Sequence, residues 1–383
     1  MRESNTMIRH ATAALLLSAA FSLPATAKNL NYAHGYPAES AVGKAAVTYA
    51  DRVEEKSGAA LKVKPFAMSL LSLSETGPGL RDGIADVGYV LTPYYSAEYA
   101  TSLLLHEMNL LVNLGQDKGI ESFAYAGAIA DYTLNGCPEC QAEFTAQNQV
   151  YTGTGVTSLY GLQCKSPVAK IEDLAGKRVR TAGAGFVRFA EHFKAVAVPL
   201  PINEVYEALS QGVIDCAMLS APELINYNMF DVVTDVTLNV PGGLFAGVAG
   251  TNVNRTVWQG LSTEERAALI WGGSHMAAAM TWNFVEQEAE AIRMAQEKGI
   301  RVHTPDEAML APVRAFVEND LKTMVDVFKS TYRVDRTAEI AAEFPVVLER
   351  WRGLVAGVTS YEDLQKIYWD ELYSKIDPAT YGM

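Results

Sequence analysis

The 383-residue sequence predicts an α/β protein of two lobes around one cleft, with a hinge, a long lobe-spanning helix and a C-terminal helical extension. Three observations predict it. Strand and helix patterns alternate from residue 28 onward, the order that builds α/β layers. A unit Gly-[Ile/Val]-x-Asp-x6-Pro occurs twice, at Gly83–Pro93 and Gly212–Pro222. A proline-free helical stretch runs from a capping box at Ser262-Thr263-Glu264-Glu265 to Gly299.

The first residues stand apart. Arg2 and Arg9 form a positive segment ahead of a largely apolar run, Ala11–Leu23, which Pro24-Ala25-Thr26-Ala27 closes with an Ala-x-Ala site. That order reads as a cleaved secretory signal peptide, residues 1–27, with Lys28 opening a mature periplasmic chain. A retained anchor is the weaker alternative, because the run is short for a membrane span. No later segment reaches that length and apolarity, so no stable membrane insertion is expected. Net charge is −13, and losing Arg2, Glu3 and Arg9 makes it −14. Such a surface argues against nucleic acid and anionic membranes. An anionic ligand would need positive charge supplied locally.

In chain order, Lys28–Ala33 is strand-like and stops at the turn formers Gly35-Tyr36-Pro37. Ala41–Lys56 places Val42, Ala45, Ala46, Tyr49 and Val53 on one helical face, and Gly58 stops it. Leu61–Lys64 alternates like a strand. In each repeat, a helical stretch ends at the Gly, an apolar strand follows the Asp, and Pro marks the loop at the strand's C-terminal end. Ligands of open α/β sheets bind at that end. Two such units imply two similarly built lobes facing one cleft; chance similarity of two αβ units is the competing account.

The second lobe opens with a strand-like Val156–Gln163. A short turn at Ile171–Gly176 follows, then a strand at Arg178–Thr181, a tight loop at Ala182–Gly185, and helical spacing over Phe186–Val196. The expected layout is lobe I at 28–155, lobe II at 156–245, a return to lobe I with the long helix at 246–332, and a helical extension at 333–383. Gly272-Gly273 inside the long helix allows close packing or a kink. Trp351, Tyr368 and Trp369 mark the extension as a packed cap.

Arg180 is the main candidate for binding. It ends a predicted strand just before a glycine loop and a helix start. A guanidinium matches a carboxylate in bidentate fashion, and helix N–H groups add anion affinity. By position alone an exposed surface arginine is an equal reading.

Asp173-Leu174-Ala175-Gly176-Lys177-Arg178-Val179-Arg180, Asn203-Glu204-Val205-Tyr206-Glu207-Ala208-Leu209 and Gln211-Gly212-Val213-Ile214-Asp215 resemble the DctP-like solute-binding subunits of TRAP (tripartite ATP-independent periplasmic) transporters. Gly83–Asp86 and Leu261–Glu265 fit the same family, and the resemblance runs from about Asn29 to about Phe328. It implies a two-lobed periplasmic binding protein that closes on a small organic acid. An arginine at the Arg180 position would hold the carboxylate, and the loaded protein would deliver it to TRAP membrane subunits. Further arginines of sialic-acid-binding relatives fall at Tyr94 and Tyr160 here, and their asparagine near Leu219 or Ser220. One cationic anchor among aromatic and hydroxyl groups is therefore expected. The remaining candidates for ligand contact are His34, Ser72, Tyr95, Gly183 and Phe245, each with an ordinary packing or surface role as its alternative.

The four cysteines, Cys137, Cys140, Cys164 and Cys216, allow three connectivities in an exported protein. The favoured one joins Cys137 to Cys140 and Cys164 to Cys216, though the sequence excludes neither of the others. Cys137-Pro-Glu-Cys140 follows a loop-like stretch, and neither a second CxxC nor a paired His completes a zinc site. No Gly-x-Ser-x-Gly, His-Glu-x-x-His or phosphate loop is present, so no enzyme, cofactor or metal is expected. The alternatives are a periplasmic thiol-disulfide oxidoreductase using Cys137 and Cys140, or a binding protein that reports to a sensor.

Overall fold

The computed structural model describes residues 27–114 and 119–383, so the expected signal peptide lies outside it up to its last residue. The chain begins with β1 (Lys28–His34), α1 (Ala41–Lys56), β2 (Leu61–Ala67), α2 (Thr76–Arg81) and β3 (Val87–Leu91). Then come α3 (Ala100–Glu107), α4 (Glu121–Asp131), α5 (Pro138–Ala146) and β4 (Gln149–Val150). The next group is β5 (Tyr160–Cys164), β6 (Arg178–Thr181), α6 (Ala184–His192), β7 (Val196–Pro199), α7 (Val205–Ser210), β8 (Cys216–Ser220), α8 (Glu223–Asn226) and β9 (Asp235–Thr237). The chain ends with β10 (Val248–Asn254), α9 (Arg255–Gln259), α10 (Thr263–Glu297), β11 (Arg301–His303), α11 (Glu307–Ser330), α12 (Thr337–Val355) and α13 (Tyr361–Glu371).

Two sheets divide the strands. One has the order β2-β1-β3-β10-β4, the other β11-β9-β5-β8-β6-β7. The first sheet is parallel through β2, β1 and β3, then antiparallel at β10. The second is parallel through β7, β6 and β8, then antiparallel at β5. Each repeat thus supplies the same part of its sheet. Gly83 and Gly212 take φ of 79° and 70°, which only glycine adopts without strain. Asp86 then accepts from the Asn31 backbone N–H at 2.8 Å, and Asp215 from that of Arg178 at 2.8 Å. In both lobes the aspartate pins its strand to the parallel neighbour.

Between the sheets the chain crosses twice side by side. Thr154 Oγ1 donates to Val248 O at 2.8 Å, and Phe245 N donates to Thr157 Oγ1 at 2.9 Å. This pairing of connectors explains why 156–159, expected as strand, stays irregular and β5 begins only at Tyr160. β11 is a second difference. Residues 301–303, expected with the first lobe, pair with β9 in the second sheet.

Helix α10 runs for 35 residues from its capping box, and Ser262 Oγ accepts from Glu265 N. It packs along α1 and also touches α8 and β11, so it braces both lobes. Its glycines serve close packing without breaking the helix. A Cβ on Gly273 would land on Thr152 O, and one on Gly272 on Val53 and Tyr49. Helices α12 and α13 are laid on α4 and α10. Disulfides join Cys137 to Cys140 and Cys164 to Cys216. The first sits differently from the loop expected: it follows a π-helical turn at 132–136, and Cys137 caps α5, its sulfur accepting from Cys140 N.

Candidate functional site

Arg180 ends inside the protein. It is 1% exposed, and backbone carbonyls hold its guanidinium: Nε donates to Leu200 O at 2.9 Å and Nη1 to Met218 O at 3.3 Å. A surface role is thereby excluded. Among the described residues it forms no ion pair with any carboxylate.

Aromatic rings from both sheets wall the space beside it. Tyr94, in the turn after β3, reaches across the lobes so that its hydroxyl accepts from Ile202 N at 3.2 Å. Tyr160 stacks on Phe186 with centroids 5.1 Å apart. Burial raises the phenol pKa of both, and the Arg180 guanidinium beside them pulls the other way. Tyr36 meets Tyr89 at 5.5 Å and Tyr227 at 5.7 Å. Glu223, at the start of α8, is 1% exposed. One carboxylate oxygen accepts from Asn226 Nδ2 at 3.0 Å. Burial pushes its pKa up to about 7, against the opposing pull of that hydrogen bond and of Arg180.

Three buried hydroxyls here lack a protein partner: Thr181, Ser220 and Tyr227. Buried polar atoms without partners cost about 1–3 kcal/mol each. A cluster of them beside an arginine suits a polar ligand better than a dry core. A cleft of 260 Å³ borders this cluster at Tyr94 and Thr181, and Pro93, Gly183, Pro199 and Leu200 also line it.

Of the residues expected from sequence, the structure gathers Arg180, Tyr94, Tyr160 and Ser220, the last opposite Tyr160 in the β5–β8 ladder. Gly183 lies on the cleft with φ of 151° and precedes α6. His34 ends β1, not a loop; burial lowers its pKa to about 4, and its Nδ1 has no partner. Tyr95 turns away, its hydroxyl donating to Leu73 O and accepting from Gly77 N. Ser72 lines a separate depression with Gly35 and Asn203. Phe245 packs on His106 at 4.8 Å beside the crossing.

Sequence reasoning missed Glu223, Tyr36, Tyr89 and Tyr227. A signal for Glu223 was present: it follows the Pro of the second repeat, as Tyr94 follows the Pro of the first. The CxxC pair is 1% and 0% exposed. Reactive cysteines need access, so this disulfide reads as structural.

Residues 32–326 match the family described as bacterial extracellular solute-binding protein, family 7. A solute-binding protein from Albidiferax ferrireducens is 21% identical over 256 residues, 66% of this chain and 72% of its own. Two solved TRAP solute-binding proteins from marine metagenomes share the fold. One, in complex with pyroglutamate, has a TM-score of 0.70 at 17% identity, covering 85% of this chain and 99% of its own. The other, in complex with 3-hydroxybenzoate, has a TM-score of 0.71 at 17% identity with the same coverage.

Proposed function

The chain belongs to family 7 of the bacterial extracellular solute-binding proteins, and from that membership we propose that it captures a small organic acid between its lobes for uptake. The buried guanidinium of Arg180 carries this reading. Among the described residues it is the one cation beside this cluster of tyrosines, already oriented by two carbonyls and without an ion-paired carboxylate. Pyroglutamate and 3-hydroxybenzoate, held by the two solved relatives, each bear a single carboxylate, which is what one anchor accommodates.

In this reading Arg180, Tyr94, Tyr160, Ser220 and Gly183 contact the ligand, and His34 stands nearby at the end of β1. Lobe I comprises 28–155 and lobe II 156–245. The protein works in the periplasm after loss of residues 1–27, catalyses nothing, and hands its ligand to TRAP membrane subunits. Among the described residues no helix is long and apolar enough to cross a membrane.

A thermal-shift screen of carboxylic acids identifies ligands, because binding to the folded state alone raises its stability by mass action. Calorimetry on Arg180→Ala then tests the anchor. Removing one partner of a buried charge pair costs about 2–5 kcal/mol, so affinity falls by at least about thirty-fold while circular dichroism stays native. An unchanged Kd overturns the assignment.

A further inference from the structure

Arg180 and Glu223 are both 1% exposed, on β6 and at the start of α8, and the Arg180 charge reaches the Glu223 carboxyl, which burial brings to titrate near neutrality. Glu223 is within electrostatic reach of Arg180, yet the two make no ion pair. Arg180 spends two N–H groups on backbone carbonyls, and Glu223 engages Asn226. A buried guanidinium and a buried carboxyl that is ionised above about pH 7, held apart from each other, present complementary groups to the two ends of a short molecule.

A plain carboxylate fits such a chamber poorly. It would add a second negative charge beside Glu223, and like charges in a low-dielectric site repel strongly. An ionised glutamate only accepts hydrogen bonds, so it calls for a donor on the ligand. The walls point the same way. Tyr36, Tyr89, Tyr94, Tyr160 and Tyr227 all lie within electrostatic reach of Glu223. Their ring faces attract a cationic nitrogen.

We propose that the ligand is a nitrogen-bearing carboxylate, its carboxylate on Arg180 and an N–H or ammonium group on Glu223. This rests on the carboxylate-capture reading and narrows its substrate class. Glu223 is a specificity-determining residue in it. The position is the second repeat's counterpart of Tyr94, so the residue after each repeat's Pro reads the ligand from one lobe.

Matched pairs differing at one atom test it by calorimetry on the full mature chain. L-Proline is set against tetrahydrofuran-2-carboxylate, the lactam acid 5-oxoproline against its lactone analogue, and L-leucine against its 2-hydroxy analogue. In at least one pair the nitrogen member binds ten-fold tighter or more, and in none does the oxygen member win. Glu223→Leu removes that preference, and Glu223→Gln reduces it should the leucine variant fail to fold. A preference for proline or leucine assigns an ammonium at Glu223; a preference confined to the lactam assigns a neutral N–H. The pH dependence gives a second readout. With Glu223 near pKa 7, a nitrogen ligand favours the ionised form and binds tighter at pH 8 than at pH 6; a plain acid shows the opposite sign. Arg180 is the charged group that Glu223 faces, and burial raises the pKa of all five tyrosines, so they stay neutral across that range. Equal affinities within every pair, or binding confined to acids without nitrogen, overturn this inference and leave carboxylate capture standing. Binding of no carboxylate at all removes the capture reading as well.

Discussion

His106 shows how a single residue ties the site's surroundings to pH. It ends up buried between the lobes, where its Nδ1 accepts from Ala246 N at 3.2 Å and its ring packs on Phe245. Burial lowers its pKa to about 3, against 6.5 in an unfolded chain. The unfolded chain therefore takes the proton first. The stability that neutral His106 contributes is complete above about pH 6.5 and is lost as pH falls toward 3. We expect His106→Gln, which keeps an acceptor and removes the titration, to flatten the fall in stability between pH 6.5 and 4, as read by urea unfolding at pH 7, 6 and 5. A slope identical to wild type would show that His106 does not titrate differently on folding. At the residue scale, the place of Arg180 at a strand end before a glycine loop leaves a surface arginine an equal reading, and the family resemblance tips the balance; its burial then excludes the surface. Glu223 was marked only by following the Pro of the second repeat, because one glutamate in a short, mostly apolar stretch carries no periodicity. What distinguishes it is burial, a product of two lobes meeting. Tyr94 and Tyr95 were inseparable in sequence, and only the turn geometry after β3 sends one into the chamber and the other to Leu73.

At the scale of elements, local pattern and packing agree most closely on α1 and α10. The apolar face of α1 and its stop at Gly58 follow from spacing alone, and the helix has the expected ends, Ala41 and Lys56. The reach of α10 was equally plain, but the use of its glycines was not. Sequence left packing and kinking open; the approach of Thr152 O to the Gly273 backbone decides for packing. Gly273→Ala should therefore push the long helix off the crossing segment. The obstacle is backbone, which cannot rotate away, so a cost of about 1–3 kcal/mol or more is expected. Gly353→Ala, at an open helical position, is the control and should be neutral or stabilising. Equal stabilities of the two variants by chemical denaturation would contradict the packing account. Short strands were the least legible elements. β11 has three residues, too few to show alternation, and its place beside β9 depends on where α10 delivers the chain. Arg301 and His303 then fix it by bonding Asp235 at 2.8 and 2.9 Å.

For the whole molecule, the proposed site and the C-terminal extension occupy different parts of the chain. The family match ends at residue 326, and α12 and α13 lie beyond it. They supply no group to the Arg180 chamber, yet they cover helices of the first lobe. Trp351 fits over Gly127 of α4, and its Nε1 donates to Asp131 Oδ2 at 3.0 Å. Arg352 pairs with buried Glu121 at 2.9 Å, and Tyr368 donates to Phe123 O at 2.7 Å. The tail tip returns as well, with Trp258 Nε1 donating to Tyr381 O at 2.8 Å. Sequence showed the aromatics of this extension but not its seat, because a helix's apolar face does not name its partner. If the extension only supports the first lobe, loss of its central side chain should lower stability and spare affinity. Trp351→Ala removes a fully buried indole and one of the hydrogen bonds to Asp131, which keeps Asn135 and Arg350, for a cost of about 3–5 kcal/mol. Urea unfolding measures that loss, and calorimetry of the folded variant, below its transition, should return a Kd within two-fold of wild type. A large drop in affinity at native circular dichroism would mean instead that the extension sets the angle between the lobes. α10 would be the path for that effect, since it packs against α13 and also touches α8, the helix of Glu223.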